Sequence, residues 1–388
     1  MKKIGLAVCY DTKNFGSQLQ VLATIKKVED LGYDTEIIRY KKTLTPTFIL
    51  QTIPRIFNRA FIGSKLRGKK KRRIIAKHPE VAKNISIRNK RFNGFVKKYF
   101  TKQSKPYEGW EKLVKESRQN YDGFLCGSDQ LWLPMNLGSH FYTLEFAPES
   151  KPKIAYATSF GVSQIPNNQK KATAKYLKRF QALSNREIAG SKIVEELTGT
   201  ASKVVCDPTL LFDGNEWLEI IPDRRVVEDR YIFCYFLGTN PDHRKWAEEL
   251  KKETGLKIVS CPFLDNFVER DKTFGDVQLF DMDAEDFVNL IRHAEYICTD
   301  SFHGSVFSIL NHKKFVTFSR FSDQSKGSRN SRIDSLFELT GLKDRHCKGD
   351  VVEIVDKEID YVKVEERLKA LRTESVDFLK NALIMTDN

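Results

Sequence analysis

Short apolar runs alternate with amphipathic helical stretches along most of the chain, and this alternation restricts the fold more than any other feature. "KIGLAVCY" is followed by "GSQLQVLATIKKVEDLG", with apolar residues at Leu19, Leu22, Ile25 and Val28, and then by "YDTEIIRY". A strand–helix–strand order of this kind implies a parallel sheet with right-handed crossovers. "YDGFLCG", "KIAYATSF", "ALSNRE" and "SKVVCDP" continue the series as strands. A second series begins near residue 229 with "RYIFCYFLG", a helix closed by Gly255, then "LKIVSCPF", "VQLFD", "AEDFVNLIRHA", "EYICTD", "GSVFSILNH" and "KKFVTFS". The stretch "DPTLLFDGNEWLEIIPDRRVVEDR", rich in Pro, Asp and Arg, separates the two. The expected fold is therefore α/β, with two doubly wound, Rossmann-like domains facing a cleft. Residues 1–215 form the first, 229–363 the second, and 364–388 a closing amphipathic helix. Ligands of such sheets sit beyond the carboxyl ends of the strands.

The chain has 388 residues, 40% hydrophobic and 30% charged, with a formal net charge of +14. The positive charge points to acidic partners: phosphorylated small molecules, anionic lipid or nucleic acid. Seven cysteines lie scattered without a Cys-x-x-Cys pair, which reads as buried free thiols in a reducing compartment rather than a zinc site. The opening "MKKIGLAVCY" is too short an apolar run for a signal peptide and is expected to be a strand. No run approaches 18 apolar residues, so a cytoplasmic protein is expected.

Residues 43–100 interrupt the alternation. Apolar residues from Phe48 to Ile62 are followed by seven cations between Lys65 and Arg73. Segment 43–73 is expected either to lie on the anionic inner face of the cell membrane or to be a solvated loop covering a domain edge.

The chemistry-bearing residues stand where strands run into helices. In "EYICTDSFHGSVFSIL", His303 follows a buried strand and opens a helix, where unpaired N–H groups and the helix dipole gather anions. A histidine there can exchange a proton near neutral pH; the alternative is that Asp300 or Ser301 caps the helix and His303 only packs. "YDGFLCGSDQLW" repeats the design with Gly127, Ser128, Asp129 and Trp132. Asp129 is a candidate to take a proton from a hydroxyl, and Trp132 to offer a sugar an apolar face; alternatively these form a capped helix start with a packed tryptophan. Asn14 and Gly16 shape the turn after the first strand. Arg186 in "LSNRE", and Arg329 and Arg332 in "SRNSRIDSLFELTGL", suit carboxylate or phosphate groups, since a guanidinium fork binds two oxygens. No Walker or Gly-x-Gly-x-x-Gly pattern is present.

Together "NFGSQLQ", "GSDQLW", "YATSFG", "LSNRE", "DPTLL", "YICTDSFHGSVFSI" and "RNSRIDSLFELTGL" resemble the polysaccharide pyruvyl transferase family, in order and spacing from residue 14 to about 342. The resemblance implies a GT-B-like fold and transfer of pyruvate from phosphoenolpyruvate to sugar hydroxyls, usually as a cyclic ketal on a glycan precursor, often lipid-linked. The family's acid/base histidine falls on His303 and its donor-binding arginine on Arg186. Many members carry an arginine where this chain has Ser301; Arg329 or Arg332 would then supply the missing cation. Arg186, Arg329, Arg332, Ser301 and Gly304 are thus expected on the donor side, and Asn14, Gly16, Gly127, Ser128 and Trp132 on the acceptor side. Phosphoenolpyruvate is a substrate, and neither cofactor nor metal is expected.

Two other readings stay open. A GT-B glycosyltransferase using a nucleotide sugar would share the fold and its anion-binding helix starts. A non-catalytic nucleic-acid-binding protein fits the charge, but there is no helix-turn-helix or aromatic-basic sheet, so nucleic acid is not an expected partner.

Overall fold

A computed structural model describes residues 1–43, 62, 63, 66, 68, 73, 76–265, 268–320, 331–347 and 349–387. Most of segment 43–73 and Arg329 lie outside the described residues.

The elements run β1 (Lys3–Ala7), α1 (Phe15–Asp30), β2 (Asp34–Ile37), β3 (Tyr40–Lys41), α2 (Pro79–Tyr99), β4 (Tyr107–Glu108), α3 (Trp110–Asn120), β5 (Gly123–Cys126), β6 (Lys153–Thr158), α4 (Asn167–Leu177), β7 (Ala182–Asn185), α5 (Ile188–Thr198) and β8 (Lys203–Val204). After α6 (Gly214–Ile220) come β9 (Tyr231–Tyr235), α7 (Pro241–Thr254), β10 (Lys257–Ser260), β11 (Val277–Gln278), α8 (Ala284–His293), β12 (Tyr296–Thr299), α9 (Phe302–Leu310), β13 (Lys314–Phe318), α10 (Ser331–Thr340), β14 (His346–Cys347), α11 (Val351–Asp356) and α12 (Tyr361–Ile384).

The alternation resolves into two parallel sheets. One has the order β2-β1-β5-β6-β7-β8, the other β11-β10-β9-β12-β13-β14. The inner strands are apolar on both faces because helices cover both; β5 and β9 are buried at every position. In each sheet the strand order reverses once, between β1 and β5 and between β9 and β12. At such a reversal the flanking loops diverge and leave a crevice beyond the strand ends. The loops ending in Asn14, Asp129 and His303 all leave from these reversals.

A continuous core joins the two halves. Phe15, at the start of α1, stacks on Phe92 of α2 at 4.9 Å and on Phe287 of α8 at 5.1 Å. The expected boundary segment is not a loose linker: it carries α6, whose buried Trp217 packs on Phe307 at 5.1 Å and donates its indole N–H to Thr209 O at 2.8 Å. The closing helix begins at Tyr361 and returns to the first domain. Its Arg372 Nε donates to Leu210 O (2.9 Å), and Ser375 Oγ accepts from the N–H of Cys206 (2.9 Å).

The described part of the 43–100 interruption is chiefly α2, which bridges the domains. Arg88 pairs with Asp265 (3.2 Å), Arg91 with Asp283 (2.8 Å) and Asp286 (2.7 Å), and Lys98 with Glu285 (2.6 Å). The cysteines are free and buried. No described helix is long and apolar enough to cross a membrane.

Candidate active site

His303 enters the cleft from the second domain. β12 ends at Thr299, Asp300 follows, and Ser301 caps α9 by accepting the N–H of Gly304 on its Oγ at 3.3 Å. The Asp300 carboxylate accepts the N–H groups of Leu237 (2.7 Å) and Gly238 (2.8 Å), which ties the loops after β9 and β12 together. His303, buried in the first turn of α9, faces the first turn of α1, and a Cβ on Gly16 would overlap its ring. Only glycine allows this approach. Asn14 caps α1 through the N–H of Ser17 (3.1 Å), so its side-chain oxygen is committed to the helix.

The first domain supplies a buried ionic cluster. Asp129 follows β5 in left-handed backbone (φ +80°), a strained conformation for a non-glycine residue. Its Oδ2 accepts from Ser17 Oγ (2.6 Å), and its Oδ1 from Arg186 Nη2 (3.2 Å) and from the N–H of Gln130 (2.8 Å). Burial alone would raise this carboxyl, but Arg186, His303, the Ser17 hydrogen bond and Arg332 hold it at about 2. A carboxylate so placed is ionised at neutral pH and a weak base; it is better suited to orient Arg186 than to take a proton, the role expected from the sequence.

Arg186, just beyond β7, is fully buried and spans two carboxylates. Its Nη1 donates to Asp207 Oδ2 at 2.6 Å, and its Nε stands 3.9 Å from Glu187 with no hydrogen-bond partner. Burial raises the Glu187 carboxyl above its usual range, against the pull of Arg186. Two cations contact the Phe302 ring, Arg186 at 4.8 Å and Arg332 at 5.7 Å from its centroid. Arg332, from α10, is 7% exposed, and its Nε has no hydrogen-bond partner. Burial, then the charge of Arg186, pushes it down to about 9. A guanidinium held this way is electrostatically unsatisfied, and an anion in the cleft would relieve it.

The structure thus brings together Gly16, Asp129, Arg186, His303 and Arg332. Ser128 supports the cluster from behind, its Oγ donating to Asp207 at 3.0 Å. Gly127 lets β5 lie against Val8, and Gly304 lies against Thr299. The hydroxyl of Ser301 is spent on its cap. Trp132 is not at the site: it is buried among Phe160, Tyr176 and Phe180, with its N–H donated to Tyr142 O. Sequence reasoning missed Ser17, Glu187, Phe302 and above all Asp207, which follows the "SKVV" strand end and so obeyed the same rule as the residues it found.

The sequence pattern of the family described as polysaccharide pyruvyl transferase matches residues 14–322, most of the chain. The chain belongs to the polysaccharide pyruvyl transferase family. No curated protein gives a significant match. Among solved structures, a protein assigned as a UDP-N-acetylglucosamine 2-epimerase from Listeria monocytogenes is similar at a TM-score of 0.51 with 10% identity, over 96% of this chain and 90% of that one. The UDP-GlcNAc 2-epimerase of Neisseria meningitidis bound to UDP-GlcNAc gives a TM-score of 0.49 and 10% identity over 97% and 99%. The E. coli heptosyltransferase WaaC with ADP gives 0.38 and 13% over 84% and 89%. At such identities the likeness concerns the fold alone. The pyruvyl transferase family thus occurs here on a GT-B-like pair of Rossmann-like domains.

Proposed function

We propose that this family member transfers pyruvate from phosphoenolpyruvate to two hydroxyls of a sugar in a surface-polysaccharide precursor, forming a cyclic ketal. The observation that carries the reading is Arg332, buried with its Nε unpartnered beside Arg186 and His303, at the meeting of two helix N-termini. Phosphoenolpyruvate carries a phosphate and a carboxylate, and guanidinium forks and helix starts bind both.

His303 protonates the methylene carbon, which makes C2 electrophilic. A sugar hydroxyl attacks C2 and its proton returns to His303. The C2–O bond to phosphate breaks, the second hydroxyl closes the ketal on C2, and its proton leaves with the phosphate. One donor and one diol thus give one ketal and one inorganic phosphate. Arg186 and Arg332 hold the donor's anionic groups, and Asp129 fixes Arg186. The acceptor approaches from the α1 and Asp129 side; a lipid-linked acceptor would bring the protein to the cytoplasmic face of the membrane.

Donor turnover tests the reading. Purified protein with a panel of glycan acceptors is given phosphoenolpyruvate or UDP-sugars. Phosphate release dependent on acceptor supports it. Nucleotide release from a UDP-sugar, with phosphoenolpyruvate untouched, replaces it with glycosyl transfer.

A further inference from the structure

Asp207 is a buried carboxylate to which the reaction above assigns no role. It lies just past β8, in the first domain, and its side chain is fully buried. A carboxylate needed only to cap the turn Pro208–Leu211 would use one oxygen, and Oδ1 does this by accepting from the N–H (3.1 Å) and Oγ1 (2.7 Å) of Thr209. Yet Oδ1 also lies 3.6 Å from His303 Nε2, and Oδ2 accepts from Arg186 Nη1 (2.6 Å) and Ser128 Oγ (3.0 Å). Nε2 of His303 is itself buried without a hydrogen-bond partner.

We propose that Asp207 is the positioning residue of the site, holding the His303 ring through Nε2 with one oxygen and the Arg186 fork with the other. One carboxylate of the first domain would then set both the proton-transfer group of the second domain and the donor-binding cation of its own. This deepens the proposed reaction and rests on His303 as its acid/base. The electrostatics agree. Burial should raise the Asp207 carboxyl, but His303, Arg186 and the Thr209 hydrogen bond hold it well below the carboxylate range, so it stays ionised. The other charged groups acting at His303 are Asp129, whose charge it feels directly, and Arg186 and Arg332 around the neighbouring Phe302 ring. By holding one ring nitrogen, an anionic partner selects the tautomer.

The test uses the full-length protein and nitrogen-15 NMR of its histidine rings. In the neutral ring of His303 the proton is expected on Nε2, facing Asp207; a ring protonated on Nδ1 overturns the proposal, and this needs no variant. In Asp207→Asn the proton affinity of His303 is expected to fall about tenfold or more, with the titration midpoint moving to lower pH. Thr209→Val, which removes a turn bond from the same oxygen, is expected to leave that midpoint in place. A folded Asp207→Asn protein with an unshifted midpoint contradicts the proposal, as does an equal shift in Thr209→Val. In turnover, Asp207→Asn should lower kcat with its alkaline limb displaced to lower pH, since His303 must start the cycle protonated, and raise the KM for phosphoenolpyruvate. If the wild type releases no phosphate from phosphoenolpyruvate, the reaction is wrong, while the tautomer and titration still decide the role of Asp207.

Discussion

Gly16 of α1 lies against the imidazole of His303, so close that a Cβ on Gly16 would overlap Nδ1 and Cγ of the ring. The first turns of two helices from two domains thus meet with the His303 imidazole between them. The missing side chain is what allows the meeting.

Gly16→Ala should therefore act on the site before it acts on the fold. A methyl forced into a packed contact costs typically about 1–3 kcal/mol, partly offset by alanine's better helix propensity. The displaced ring should cost roughly 100-fold or more in turnover, the scale of a positioned acid/base. Phosphate release and thermal melting on the same sample check this. Near-wild-type turnover would show that the Gly16 contact does not position His303.

Donor binding should weaken in alkali. With the Arg332 guanidinium pushed down to about 9, its charge is full below that pH and lost above it. The dissociation constant for phosphoenolpyruvate should rise between pH 8 and pH 10. Arg332→Gln should bind more weakly at pH 7.5 and lack that step. Calorimetric titration across this range checks it; a step of equal size in Arg332→Gln would assign it to another group.

The α2 helix should behave as an ionic clamp. Arg91 is half-buried and reaches Asp283 and Asp286 at the capped start of α8, and Arg224 joins the same cluster at Asp286. Charge-assisted hydrogen bonds of this kind contribute roughly 1–3 kcal/mol each before solvent screening. Arg91→Gln should lower the urea midpoint, and high salt should narrow the gap to the wild type by screening what the clamp adds. A salt-independent gap would mean that Arg91 works by packing.

Much of the fold was legible because it rests on local periodicity. The runs that became β1, β5, β9 and β12 are apolar on both faces, and each ends in a polar turn whose residues reach the cleft or brace it. The rest depended on contacts that no local pattern carries. In α2, Phe92 and Phe95 follow Arg88 at helical spacing, but the basic run before them obscured it. Trp132 looked like a sugar platform because it follows Asp129, yet the turn sends it into the core. Asp207 stands in "DPTLL", where locally it is only the cap of a short turn. Its significance appears only when His303, 96 positions later (303 − 207 in the numbering), comes to lie 3.6 Å away. Ser301 caps its helix, and Arg332, from the next helix but one after β12, is the cation that comes to the Phe302 ring beside it.

The central claim is that His303 delivers a proton to the donor's methylene carbon. Its most direct test is turnover in deuterium oxide, with phosphorus NMR following phosphate and proton NMR the product methyl. The account predicts acceptor-dependent phosphate release, one deuterium in each new ketal methyl, and a rate roughly 100-fold or more lower in a folded His303→Ala protein. Phosphoenolpyruvate left intact, or a His303→Ala protein turning over at near the wild-type rate, would contradict it.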